Sequence, residues 1–245
     1  MIYDNTNSNN ISELLENALS DGIALLVNKP LNWTSFDVVA KIRNTLKIKK
    51  VGHAGTLDPL ASGLLIICCG KYTKKIDEFQ GLFKEYTGEI KLGAVTKSYD
   101  SEFEEENICD VGHIDDSLVK QVASQFVGRQ LQYPPMFSAK KVKGKKLYEL
   151  ARKDIQIEVK PSEVEIFEVK VDYISPVINF YIKCSKGTYI RSFANDVGKQ
   201  LGVGAYLKSL VRVGIGDYKL DNALELDSFI VKVKNQEYNE NIQKF

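Results

Sequence analysis

Twelve consecutive residues, Gly52-His53-Ala54-Gly55-Thr56-Leu57-Asp58-Pro59-Leu60-Ala61-Ser62-Gly63, set one carboxylate and one imidazole five positions apart among three glycines. Such a loop is tight and lets backbone approach a ligand closely. A carboxylate there can add covalently to a substrate or act as a base, and Asp58 is the only acid in the run. Read locally, Asp58 before Pro59 is better explained as a helix N-cap followed by proline at the first helical position. A lone histidine in a glycine-rich turn is likewise more often structural. Tyr86 shares a strand face with Ile90 and Leu92, which by itself describes a core tyrosine.

The elements that must position these residues follow from periodicity. Ile11, Leu14, Leu15, Ala18 and Leu19 repeat at helical spacing, with Asn10 and Glu13 as a cap and Gly22 as a stop. Ile23 to Val27 reads as a strand, and Thr34 or Ser35 caps a helix carrying Val38, Val39, Ile42 and Leu46. Gly63 to Gly70 is a buried strand, and Tyr86 to Leu92 alternates as a half-buried one. Ser117 to Phe126 has a helical period, whereas Tyr133-Pro134-Pro135 makes the basic segment after it begin as a loop. Ile178 to Cys184 alternates as a strand, and Ile190 to Leu201 forms a helix ending at Gly202. Residues 1 to 10 and the tail from Asn235 to Phe245 are polar and predict disorder.

Composition narrows the class. The chain has 245 residues, enough for one large folding unit. No apolar run approaches the roughly 20 residues of a membrane span. The opening MIYDNTNSNN lacks the basic and apolar regions of a secretory signal, so a cytoplasmic protein is expected. Cys68 and Cys69 are adjacent, Cys109 and Cys184 stand alone, and only His53 and His113 could join them, so neither a metal site nor a disulfide is expected. With no phosphate-binding glycine loop and no dinucleotide fingerprint, no cofactor is expected either. The formal charge is only +1, yet Arg129 to Lys153 holds eight Lys or Arg against the single acid Glu149. Asp100 to Asp116 holds eight acids and no Lys or Arg, a run expected to face away from a polyanion. On charge alone each run reads as a solvated loop.

Taken together, the motifs change those odds. GHAGTLDPLASGLL resembles the defining motif of the TruB family of pseudouridine synthases, whose invariant aspartate falls on Asp58. Leu26-Val27-Asn28-Lys29-Pro30 with Trp33-Thr34-Ser35 is similar to the family's opening strand and Lys-Pro loop. Lys84-Glu85-Tyr86, then Leu92-Gly93 and Thr96, resembles the motif that supplies an active-site tyrosine at Tyr86. Pro135 to Ala139 with Gly144 to Arg152 resembles the RNA-gripping thumb, and Cys184-Ser185-Lys186-Gly187-Thr188-Tyr189-Ile190-Arg191 the motif of a second tyrosine and an arginine partner for the aspartate. The ordered set covers roughly residues 23 to 216. It departs from the family after Asp100, where Ser101-Glu102-Phe103-Glu104 replaces a glycine turn.

The resemblance implies an α+β pseudouridine-synthase fold, a mixed and mainly antiparallel sheet flanked by helices. Its implied domains are an N-terminal tail and helix over 1–22, a catalytic domain over 23–226 with a thumb near 127–153, and a short tail over 227–245 in place of a PUA domain. It implies isomerisation of uridine-55 in the T-loop of tRNA, with Asp58, Arg191, Tyr86 and Tyr189 catalytic. His53 would brace the space left by a flipped base. Lys29 would contact a phosphate or the pocket, and Lys140, Lys141, Lys143, Lys145 and Lys146 would grip the T-arm. Neither a membrane nor an obligate protein partner is implied, and a monomer is expected. Three rivals are weaker. A non-catalytic tRNA-binding protein would not need the four site residues, a T-loop methyltransferase would need a nucleophilic cysteine, and a glycoside hydrolase would need a second acid beside Asp58.

Overall fold

The computed structural model describes residues 1–8, 10–142, 144–153, 155, 157 and 159–242, with backbone alone at 141, 146 and 237–242. The chain divides into two compact units, Met1–Lys84 with Val211–Phe245, and Glu85–Leu210.

The first unit is organised on two apolar strands, Ile23–Lys29 and Ala61–Cys69, paired antiparallel with Ile23 opposite Cys69 and Lys29 opposite Gly63. Both are apolar along most of their length because both faces are covered. Helices Ile11–Ser20, Ser35–Leu46 and Leu226–Ile242 bring Leu14, Val38, Ile42, Phe229 and Val233 against Leu25, Val27, Leu65 and Ile67. On the other face Phe79 and Ile215 cover Leu26, Leu64 and Ile66. Each fully buried side chain of this size contributes about 1.5 to 3 kcal/mol of transfer free energy.

Both termini differ from expectation. Ile2–Tyr3 pairs parallel to Ile23–Lys29, and Asn17 Nδ2 donates to the Tyr3 hydroxyl at 2.9 Å. The polar stretch is ordered because Tyr3 is an apolar anchor among the asparagines. Helix Leu226–Ile242 runs past Asn235, where a tail is expected, because Leu226, Phe229, Ile230 and Val233 recur at helical spacing and are buried. The first helix follows its sequence signal: Asn10 accepts from the Glu13 amide at 3.1 Å, and Leu19 alone of the five-residue stripe is well exposed.

In the second unit the strand order is Lys84–Leu92, Val177–Cys184, Ser162–Ile174 and Gly128–Gln132, the last three antiparallel, with the first part of Ala205–Ile215 beside Lys84–Leu92 and an isolated parallel bridge from Asp100 to Leu207. Ile178, Phe180, Ile182 and Cys184 are the buried positions of their strand, as the alternation predicts. Helices Asp116–Ser124 and Ile190–Leu201 join this core, where Phe126 and Phe193 meet edge to face at 5.2 Å. Gly202 ends the second helix in the left-handed conformation, φ 75°. The basic segment opens as the strand Gly128–Gln132, with the loop starting only at Tyr133. Mixed, mainly antiparallel strand pairing with flanking helices makes this the α+β fold expected. Among the described residues no helix is long and apolar enough to cross a membrane.

Candidate active site

In the first unit, the Gly52 to Gly63 run connects strand Val51–His53 to strand Ala61–Cys69, which pair antiparallel with His53 opposite Ile67. No helix follows Asp58. The Ala61 amide donates to the Asp58 carbonyl at 3.1 Å, closing a turn that feeds straight into the strand, so the helix-cap reading fails. Asp58 is half-buried and Leu57 beside it buried. Two side chains fasten this loop through its backbone. Ser35 Oγ accepts from the Leu57 amide at 2.8 Å and donates to the Leu57 carbonyl at 3.1 Å. Capping of the helix falls instead to Thr34, whose reciprocal bonds with Asp37 form a capping box. From the other side Arg212 reaches the carbonyls of Gly55 and Thr56. Ser35→Ala should therefore slow turnover by about tenfold, or ~1.4 kcal/mol, while Kd for RNA holds. An unchanged single-turnover rate would show that Ser35 has no part in placing the loop.

Lys29, expected to contact a phosphate or the pocket, lies inside the protein. It is fully buried, and its ammonium donates to the Pro30 carbonyl at 2.9 Å and the Trp33 carbonyl at 2.5 Å, folding the Lys-Pro loop around itself. Burial holds its pKa down to about 8 and the Arg212 charge pushes the same way, while Asp58 and Asp37 oppose them. An unfolded Lys29 titrates near 10.5, so between about 8 and 10.5 the unfolded chain binds the proton more, and stability rises with pH through that window. Lys29→Met should remove that rise, a difference readable in urea titrations across the same window.

His53 is half-buried at the end of its strand, and its pKa is lowered first by burial and then by the Arg212 charge, which favours a neutral imidazole at pH 7. Its Nδ1 is buried without a hydrogen-bond partner among the described residues. Burial pushes the thiols of Cys68 and Cys69 up to about 12, which removes both as nucleophiles near neutral pH.

In the second unit, Tyr86 is buried on strand Lys84–Leu92. Tyr189 stands at the N-terminus of helix Ile190–Leu201, fixed through its backbone by the Gln132 amide, which accepts from the Tyr189 N–H at 2.8 Å and donates to its carbonyl at 3.1 Å. Arg191 is buried, 3.5 Å from Asp100, and donates to the carbonyls of Phe137 at 2.9 Å and Ser98 at 3.3 Å. Asp100 also accepts from the Ser98 hydroxyl and from the Glu102 amide. The sequence reading did not single out Gln132 and Asp100, the residues that here hold Tyr189 and Arg191. Asp100 opens the acid-rich run expected to face solvent, and only its neighbours do so: Glu102, Glu104, Glu105 and Glu106 are exposed.

In the thumb, Lys141–Val142 and Lys145–Lys146 pair as a small hairpin. Lys145 is exposed, while Lys140 donates to Ser162 Oγ at 2.8 Å and the Lys160 carbonyl at 3.3 Å. The side chains of Lys141 and Lys146, and all of Lys143, lie outside the described residues.

Comparison with known proteins agrees with the motifs. Residues 43–190 match the family model described as TruB family pseudouridylate synthase, N-terminal domain. The chain is 50% identical over 220 residues to the tRNA pseudouridine synthase B of Chloroherpeton thalassium, covering 87% of this chain and 91% of that protein. It is 48% identical over 229 residues to the tRNA pseudouridine synthase B of Parabacteroides distasonis, covering 88% and 97%. Among solved structures it is similar to an archaeal box H/ACA sRNP Nop10-Cbf5 complex, TM-score 0.68 at 22% identity, over 92% of this chain but only 58% of that one. That likeness bears on the fold, whereas the family match and the identities over most of the chain bear on kinship: the chain belongs to the TruB family of pseudouridylate synthases.

Proposed function

We propose that the chain is a tRNA pseudouridine synthase that isomerises uridine-55 of the T-loop, with Asp58 as its essential carboxylate. Asp58 stands on a loop that Ser35 and Arg212 fasten on either side of it through the backbone, and that is the observation that carries the reading. The buried Lys29 ammonium, which interacts with Asp58, favours the ionised carboxylate that covalent addition or base catalysis requires. In the reaction the bond from the sugar C1′ to N1 of the base breaks, the base turns, and C1′ bonds to C5, whose hydrogen leaves to solvent. No electrons are exchanged, so no redox cofactor is needed.

The remaining roles extend this reading. Tyr86 stacks on the flipped base, worth about 1 to 3 kcal/mol against the few kcal/mol that extraction costs. Neutral His53 braces the vacated space, Tyr189 lines the pocket, and Arg191 pairs with Asp58. The protein acts on tRNA in the cytoplasm, as a monomer. Release of tritium from tRNA carrying 5-tritiated uridine tests the reaction, because C5 loses its hydrogen only when the new bond forms. Retained tritium at full enzyme excess would refute it.

The thumb makes a separate prediction. Neutralising Lys140, Lys141, Lys143, Lys145 and Lys146 together should weaken tRNA binding and flatten its salt dependence by about 0.7 to 0.9 in log-log slope for each phosphate that is no longer neutralised. Exposed Lys145 should contribute more than Lys140, whose ammonium is already held by Ser162 and Lys160. Equal slopes for variant and parent would leave the segment a solvated loop.

A further inference from the structure

Arg212 lies on strand Ala205–Ile215, in a stretch to which the sequence motifs assign nothing. It is 1% exposed, among the largest fully buried side chains of the chain. Its hydrogen bonds all go to neutral carbonyls. Nε donates to Leu64 at 2.7 Å, Nη2 to Gly55 at 3.1 Å and Nη1 to Thr56 at 3.4 Å. Leu64 belongs to the strand that leaves the Asp58 loop, and Gly55 and Thr56 to the stretch that enters it, so one planar group ties the two ends together. A buried guanidinium is costly to desolvate and is kept where its fork geometry does something an apolar side chain cannot.

The local backbone is shaped to let it reach. Gly63 has φ 105°, and a Cβ there would overlap the backbone of Arg212 itself, so the strands come together at the root of the arginine. Gly55 has φ 94° and leaves its carbonyl turned to the guanidinium. Lys29 and His53 lie close enough to feel its charge, and Lys84 lies near Gly55, its own ammonium donating to the carbonyls of Gln80 and Leu82.

We propose that Arg212 is a positioning residue: it clamps the Gly55-Thr56 backbone to the Ala61–Cys69 strand and so sets where Asp58 stands, without touching the RNA. This rests on the reading of Asp58 given above. Lysine at 212 keeps the charge but has a single nitrogen in place of three, so it cannot reach Leu64, Gly55 and Thr56 together.

Arg212→Lys, Arg212→Met and Asp58→Asn are compared with the parent in single-turnover tritium release, tRNA Kd, thermal melting and amide hydrogen exchange. Arg212→Lys should lose more than tenfold in rate with Kd within twofold, and its faster exchange should be confined to residues 54–58. Arg212→Met should lose more than a hundredfold. A full rate for Arg212→Lys overturns the inference. So does a loss of tRNA affinity that matches the loss of rate, which would make Arg212 an RNA contact. Faster exchange spread over strands Ile23–Lys29 and Ala61–Cys69 overturns it too, since the arginine would then only support the fold. Should Arg212→Met fail to fold, Arg212→Lys decides alone. The Asp58→Asn arm separates the two readings: turnover by that variant defeats the catalytic assignment itself, whereas a dead Asp58→Asn beside a fully active Arg212→Lys defeats only the clamp.

Discussion

Asp58→Asn is expected to lose at least about three orders of magnitude in turnover, ~4 kcal/mol of transition-state stabilisation, while tRNA binding persists. The amide matches the carboxylate in size. The loop around it is fastened at Leu57 by Ser35 and at Gly55 and Thr56 by Arg212, in each case through backbone atoms that the substitution leaves alone. What disappears is the anion. Asparagine can neither add to the substrate nor take a proton from the sugar, and it is no counter-charge for Lys29, whose pKa should fall below about 8. Loss of affinity and activity together would place Asp58 in binding, and multiple turnover by a verified variant would remove it from the chemistry.

The contrast between Asp58 and Asp100 shows what could be read from the sequence and what could not. Asp58 was legible because its signal is local: the glycines, the Pro59 that follows and the apolar strand beginning at Ala61 are contiguous, and so resemble a family motif directly. Local reasoning without that resemblance chose a helix cap, because an Asp-Pro pair carries the same residues in both settings and only the strand beyond it decides. Asp100 sits in a run of acids whose other members are solvated, and burial depends on Arg191, 91 positions later. No periodicity encodes a partner that distant. Arg212 escaped for a related reason, since a charged residue in Leu210-Val211-Arg212-Val213 breaks the apolar run and hides the strand it belongs to. At both termini the polar residues outnumber the anchors, yet Tyr3 in one case and Phe229 with Val233 in the other supply enough buried surface to order the backbone.

Arg191→Lys and Asp100→Asn should each slow the single-turnover rate by about two orders of magnitude, ~2.7 kcal/mol, and the double variant by much less than the product of the two. Arg191 uses its planar fork against the Asp100 carboxylate and the carbonyls of Ser98 and Phe137, a set that the single ammonium of lysine cannot span from one position. Asp100 in turn is aimed by the Ser98 hydroxyl and the Glu102 amide, so Asn at 100 can preserve the shape while leaving a buried guanidinium beside a neutral partner. Removing one member of a buried pair costs about 3 to 5 kcal/mol because the other charge remains, so Asp100→Asn should melt lower than the parent for that reason, and Arg191→Lys, which keeps the charge, should melt lower because it leaves carbonyls of Ser98 and Phe137 without their donor. Rate and stability are separated by assaying well below the melting transition. If Arg191 pairs with Asp58 as proposed, Asp100 acts on the chemistry only by holding Arg191 in place, and once Arg191 is lysine the further change at Asp100 has little left to remove. Losses that simply multiply in the double variant would mean that the two residues act independently, and Asp100 would then be a support of the fold, with no share in positioning the arginine.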